Sequence, residues 1–263
     1  MITYERHPDY TRGLKMKKIK RPMILVGFLA RSAFLPGIAL SILMILCGVV
    51  AFAAKNRDKS LLFSDQLGSS GFMIVYSAAV VLAMAILAAL ISSRWFGSKS
   101  EITLQMLPVS KIWLLVGWAA CGAFLLLMLT VAGHISVRLM YEIYKSERVT
   151  TTGGMVYYYE PNPVWYAFQR VGFLSWIKPA EVIEWFRYVI MTLGAPIATT
   201  GLTLGILARR PARSALIAVG FILGIILSAS DTDFAPVGIA IALAAAVGSA
   251  VLSSKMLNEG ETV

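Results

Sequence analysis

Few side chains in this sequence are of the types that carry nucleophilic, acid–base or metal chemistry. The chain has two histidines, His7 and His134, and two cysteines, Cys47 and Cys121. His7 lies in a polar tail without a partner, and His134 lies at the end of an apolar run, where an interfacial role is more typical than metal ligation. Both cysteines lie inside apolar runs, which indicates small helix-facing or lipid-facing residues. We therefore predict no catalytic residue and no metal site.

The segment 181–187, EVIEWFR, concentrates carboxylates and a guanidinium. It resembles the glutamate–arginine motif of membrane CAAX-type proteases. Those proteases need adjacent glutamates and histidines on later spans, whereas Glu181 and Glu184 are separated and no histidine follows His134. The chain also lacks HExxH, CxxC and a serine elbow. We therefore predict that the chain is not an enzyme.

The segment 98–111, SKSEITLQMLPVSK, is a short polar-flanked stretch between two long apolar runs. Ser98 and Glu101 have the spacing of a capping box, which predicts a helix start. Pro108 ends that helix after about two turns. Its apolar side chains fall on one side: Ile102, Met106 and Leu107. The pattern favours a surface that another protein binds, and the alternative is an ordinary interfacial turn.

The composition indicates an integral membrane protein. Of the 263 residues, 58% are hydrophobic and only 14% are charged, whereas soluble domains average about 25% charged residues. The apolar run 22–54 is longer than the roughly 7–15 residues of a signal-peptide core, so we expect it to be retained. The length suits one bundle of about six spans.

We predict an all-α polytopic bundle with six transmembrane helices. The expected spans are, approximately, residues 33–53, 71–93, 112–134, 184–208, 214–230 and 237–253. Residues 1–32 form a basic cytoplasmic segment and an amphipathic interfacial helix at 22–32, and residues 33–263 form the membrane domain. Within that domain we expect an intracellular loop at 94–111 and an external aromatic loop at 135–183.

The positive charge is distributed according to membrane topology. With the N-terminus inside, the inner segments carry 14 Lys/Arg and 5 Asp/Glu, and the outer segments carry 9 of each. An excess of Lys and Arg in short loops marks the cytoplasmic side. We therefore predict a multi-pass protein of the plasma or inner membrane with both termini cytoplasmic. The net charge of +10 then needs no nucleic-acid partner, because no stacking platform or basic groove accompanies it.

Small residues and a proline mark the predicted fourth and fifth spans. Pro196 should kink the fourth span, and we expect the hydroxyls of Thr199 and Thr200 to meet the carbonyls that it frees. Small-xxx-small spacing lets helices approach closely, and six residues are predicted to mediate this packing: Gly194, Pro196, Gly201, Gly205, Gly220 and Gly224. Packing within the chain and packing between subunits are both consistent with this pattern.

The predicted loop 135–183 is polar but rich in aromatic side chains. Amphipathic aromatic residues settle at the headgroup level of a membrane. Alternatively, they form short outer helices that close the exit of a path or contact an amphipathic substrate. The stretch 165–176 has helical spacing of apolar residues and could lie flat on the outer surface.

The run 97–116, GSKSEITLQMLPVSKIWLLV, resembles the intracellular loop of ABC transporter permeases of the ABC-two exporter class. The matching positions are Glu101, Leu107, Pro108, Val109 and Ser110. The resemblance implies a six-span half-transporter that pairs with a second permease subunit and binds two ATPase subunits. It also implies that the loop helix docks on the ATPase through Ser98, Glu101, Ile102, Gln105, Met106, Leu107 and Pro108.

The sequence has no G-x-x-x-x-G-K-[ST] motif, so we expect ATP and Mg²⁺ to be bound by a partner ATPase and no cofactor by this chain. The predicted function is outward transport of a hydrophobic or amphipathic substrate, such as a peptide, a lipid or a drug. The near absence of charge within the spans favours such a substrate over a small ion. The alternative is an ATP-independent channel or scaffold subunit.

Overall fold

The computed structural model describes residues 9–55, 62–96, 111–149, 163–208, 210–229 and 234–259. The regular elements in these ranges are helical. They are α1 (Asp9–Lys55), α2 (Phe63–Ser69), α3 (Phe72–Phe96), α4 (Lys111–Val149), α5 (Pro163–Arg170), a 3-10 helix (Gly172–Trp176), α6 (Val182–Val189), a π turn (Ile190–Gly194), α7 (Ala195–Leu207), α8 (Pro211–Ala229) and α9 (Ala235–Glu259).

Six helical stretches in the described part of the chain are long and apolar enough to cross a membrane. They are Val26–Lys55, Phe72–Ser93, Ile112–Lys145, Val182–Leu207, Pro211–Ala229 and Ala235–Leu257. A bilayer core of about 30 Å needs roughly 20 helical residues, and the shortest of the six has 19. The chain is therefore a multi-pass membrane protein.

The first span differs from the prediction. We expected an interfacial helix at 22–32 that is separate from a span at 33–53, but α1 runs without a break from Asp9 to Lys55 and includes Pro22 and Pro36. A proline removes one backbone hydrogen bond, and spanning helices tolerate this loss when nearby hydroxyls and neighbouring helices compensate. Pro36 cannot donate to the carbonyl of Ser32, four residues before it; the hydroxyl of Ser32 donates to the carbonyl of Leu29 at 2.6 Å, a bond that does not replace the lost one. The helix shows no boundary between the predicted surface segment and the span.

The third span also differs from the prediction, because α4 continues past His134 to Val149. We assigned residues 135–149 to a loop on the strength of their polar side chains. Their apolar residues nevertheless keep helical spacing, and Val137, Met140 and Tyr144 are buried. On the exposed side, Arg138 and Glu142 form an i,i+4 ion pair at 3.6 Å, which is typical of a solvated helix face.

Glycine contacts define the direction of the helices. The side chain of Leu29 packs over Gly117, those of Leu125 and Met128 over Gly37, and that of Met140 over Gly48. In these pairs the residue numbers of α1 and α4 increase in the same direction, so the two helices are parallel. Since α3 runs between them from Phe72 to Phe96, Phe96 and Lys111 lie at the end of the bundle where α1 begins.

A second hydrophobic core covers the other end of the bundle. It is formed by Phe52, Phe63, Leu67, Phe72, Val137, Met140, Tyr144, Ala167, Phe168, Leu174 and Ile177, and we call it the aromatic cap. Its residues come from the ends of α1, α3 and α4 and from the short helices α2 and α5 with the 3-10 helix. The stretch between the first two expected spans, residues 54–70, therefore contains a helix, α2. The stretch 165–176 bends at Val171 and is partly buried.

Candidate functional site

The predicted coupling residues lie outside the described part of the chain. They are Ser98, Glu101, Ile102, Gln105, Met106, Leu107 and Pro108. The helices on either side of this segment are described: α3 ends at Phe96 and α4 begins at Lys111. Both of these ends lie at the opposite end of the bundle from the aromatic cap, so the segment connects two spans there.

The fourth span is built from three pieces. It consists of α6, the π turn and α7, and Pro196 is the second residue of α7. A proline cannot donate to the carbonyl four residues before it, which is that of Thr192, and a π turn is one way in which a helix accommodates such a defect. We predicted that the hydroxyls of Thr199 and Thr200 would bond to the carbonyls that Pro196 frees. Instead, the Thr200 hydroxyl donates to the carbonyl of Pro196 itself at 2.7 Å. Thr203 donates similarly to Thr199 at 2.8 Å.

Pro196 lies at a junction of three spans. A Cβ added to Gly122 of α4 would lie 2.6 Å from the Cβ of Pro196 and 2.7 Å from the Cδ2 of Leu87 on α3. Real Cβ atoms do not approach so closely, so only glycine fits at position 122 without a shift of its neighbours. Gly122 was not among the predicted packing residues.

Four of the five predicted packing glycines lie close to other spans of the same chain. Gly201 faces the Ser249 hydroxyl and Gly205 faces Ser214. A Cβ added to Gly194 would lie 2.7 Å from the Phe221 ring, and one added to Gly224 would lie 2.5 Å from the backbone nitrogen of Ala242. Gly220 is different, because its nearest neighbour would be the Ala245 side chain at 3.9 Å, an ordinary van der Waals distance.

A hydrogen bond links the fourth and sixth spans directly. The Ser249 hydroxyl of α9 donates to the carbonyl of Ile197 on α7 at 2.9 Å. The neighbouring buried hydroxyls of Thr200, Thr203 and Ser253 donate within their own helices. Because Gly201 and Gly205 bring the helices into contact, the interface between the fourth span and the last two spans is tightly packed at these residues.

The aromatic cap holds a cation and a histidine. The Lys178 ammonium lies 3.7 Å from the centroid of Trp165 and 5.5 Å from that of Phe168, which is cation–π geometry. The ring of His134 stacks on Phe168 at 5.3 Å, and its Nδ1 lies 2.9 Å from the carbonyl of Thr130. His134, which is half-buried, therefore packs against Phe168 of the cap.

The segment 181–187 forms a helix start. The Glu184 carboxylate accepts the backbone N–H of Ala180 at 2.7 Å and of Glu181 at 3.1 Å, which completes a capping box at the start of α6. Glu184 thus has a structural role. Its position three residues after Glu181 is the spacing of a capping box. Among the described residues, no three His, Cys, Asp or Glu side chains form a group that could hold a metal ion.

The fold and these contacts define an all-α, multi-pass membrane protein with a capped end. Comparison with protein-family models, with curated proteins and with solved structures finds no match to the chain.

Proposed function

We propose that the chain is the membrane-spanning permease subunit of an ATP-driven exporter of the ABC-two class. In this proposal the bundle end with Phe96 and Lys111 faces the cytoplasm, where a separate ATPase binds the segment 98–111. The aromatic cap then lies on the outer side. The resemblance of residues 97–116 to the loop of such permeases supports the assignment, and the positive charge of the same side supports the orientation.

The observation that carries the proposal is the connection between this segment and the core of the bundle. The segment joins α3 to α4, and Leu87 of α3, Gly122 of α4 and Pro196 of the fourth span meet at one point. A force on the segment would act on both helices at once. Since interiors are close-packed, a displacement of either helix must be transmitted to its neighbours at such a contact.

The same two helices extend to the aromatic cap. Phe72 at the start of α3 and Met140 and Tyr144 near the end of α4 are cap residues. A rearrangement of α3 and α4 would therefore change the packing of the cap and release the substrate outward. The spans carry few charged residues, which suits a hydrophobic or amphipathic cargo such as a peptide, a lipid or a drug.

The experiment is to purify the chain from its native membrane under mild conditions and to identify the bound proteins. The proposal predicts a second permease subunit and an ATPase with a G-x-x-x-x-G-K-[ST] motif. A complex that conducts or assembles without any ATPase would contradict it and would favour the alternative, an ATP-independent channel or scaffold subunit.

A further inference from the structure

The two helical parts of the fourth span are buried to very different extents. In α7, eight of 13 residues are buried, whereas α6 has no buried residue. Four apolar side chains of α6 are exposed, with 74% for Val182, 53% for Trp185, 58% for Phe186 and 46% for Val189, and Ile183 and Tyr188 are half-buried. The protein's own core therefore fixes α7 but does little to fix α6.

The junction between these parts has weakened helical hydrogen bonding. The π turn Ile190–Gly194 separates α6 from α7, and Pro196 follows directly. A π turn has wider, less regular bonding than an α-helix, and a proline removes one bond altogether. Both features are common at kinks, and they lie here within seven consecutive residues, 190–196.

The part beyond the junction is anchored at several points. Pro196 packs against Gly122 and α7 is hydrogen-bonded to α9 through Ser249 and Ile197. Gly201 and Gly205 add close contacts with Ser249 and Ser214. Any bending of the fourth span must therefore move α6 rather than α7.

A polar pair lies at the boundary of the two cores. Tyr76 of α3 is hydrogen-bonded to Thr130 of α4, and Tyr188 of α6 interacts electrostatically with Tyr76. Tyr76 also packs against both the main core and the aromatic cap. At its start, α6 is joined to the cap through Lys178, which lies over Trp165, and Ile177, which lies over Gly133.

We propose that the fourth span is hinged at residues 190–196, with Gly122 as the fulcrum, and that α6 swings against the aromatic cap while α7 stays fixed. A movement of α6 would change the surroundings of Tyr76, which interacts electrostatically with Tyr188 of α6 and packs against both cores. The hinge belongs to the chain alone and requires no ATPase, so it stands or falls separately from the proposed function.

The test measures distances by spin labelling in lipid nanodiscs, in a Cys47→Ser, Cys121→Ala background. One pair joins Val182→Cys on α6 to Leu243→Cys on α9, and the matched control pair joins Ile206→Cys on α7 to the same site; all three residues are exposed. We expect a broad or two-peaked distribution for the α6 pair and a single narrow one for the control. Pro196→Ala restores the missing donor and should narrow the α6 distribution.

Hydrogen exchange of the unsubstituted chain provides a second measurement that does not depend on the folding of any variant. Amides of the π turn should exchange at least about tenfold faster than those of α7, because exchange follows local opening and the hinge opens there. Equal widths for the two spin-label pairs, no narrowing in a folded Pro196→Ala variant, or equal protection of the π turn and α7 would overturn the hinge.

Discussion

Pro196 of the fourth span packs directly on Gly122 of the third, where an added Cβ would lie 2.6 Å from the proline Cβ. The contact brings the proline of one span against a residue without a side chain on another. It also includes Leu87 of the second span, at 2.7 Å from the same position. Three spans thus depend on the absence of one methyl group.

Gly122→Ala should destabilise the bundle by about 1–3 kcal/mol, the usual cost of overpacking a core. The matched control is Gly220→Ala, whose Cβ would meet only Ala245 at 3.9 Å. That variant should be neutral or gain about 0.5–1 kcal/mol from the better helix propensity of alanine. Thermal unfolding in the same detergent compares the stability of the two variants. Equal stability would contradict the close contact between Gly122 and Pro196.

Gly201→Leu and Gly205→Leu should weaken the packing of the fourth span, because Ser249 and Ser214 occupy the space that the new side chains need. Gly27→Leu is the control, since no atom lies within 4 Å of a Cβ added there. Thermal stability and the oligomeric state by size-exclusion chromatography measure the effect. If both leucine variants match the control, this face does not pack against the last two spans.

Phe63→Ala should open the aromatic cap. Phe63 is 1% exposed, and its ring lies 5.8 Å from that of Phe52, 5.4 Å from Tyr141 and 5.3 Å from Tyr144. Removing a buried aromatic ring costs about 3–5 kcal/mol. Tyr166→Ala, at a position that is 42% exposed, should cost much less. We expect hydrogen exchange in α2 and α5 to become faster in the Phe63 variant but not in the Tyr166 variant. Unchanged exchange in the Phe63 variant would show that the cap does not depend on this ring.

The orientation predicts cytoplasmic positions for Lys99 and Arg210 and an external position for Tyr158, because the inner loops hold the excess of Lys and Arg. In a background without Cys47 and Cys121, a membrane-impermeant thiol reagent should label Tyr158→Cys in intact cells. It should label Lys99→Cys and Arg210→Cys only after permeabilisation. Strong labelling of position 99 from outside would reverse the arrangement.

The spans were predictable because long apolar runs and short charged loops are local features of a sequence. The end of the third span was not predicted correctly, because Arg138, Glu142 and Lys145 suggested a loop. The helical spacing of Val137, Met140 and Tyr144, all buried, was present in the sequence and indicates the longer helix. A helix that leaves the apolar layer keeps its period while its exposed face becomes charged.

The packing partners were less accessible to sequence analysis. The G-x-x-x-G spacing identifies Gly201 and Gly205, but their partners Ser249 and Ser214 lie on later spans. Gly122 stands in an apolar run without any such spacing. Its importance arises only when Pro196, from a distant part of the chain, is placed against it. Tertiary contacts of this kind have no local signal.

If the segment 98–111 binds an ATPase, as proposed, the variant Ile102→Asp/Met106→Asp should break that contact. An uncompensated carboxylate in an apolar groove costs several kcal/mol, so the variant should reach the membrane at normal levels but lose the ATPase. Glu101→Ala removes only the cap, worth about 0.5–2 kcal/mol, and should weaken binding less.

Asn258→Asp/Thr262→Asp is the control, because it adds the same two charges to the tail on the same predicted side. The measurement is pull-down of the ATPase from membranes that contain equal amounts of each chain. The proposed function predicts that the Ile102/Met106 variant loses the ATPase and that the tail variant recovers it in full. An intact complex with unchanged ATP turnover in the Ile102/Met106 variant would contradict it.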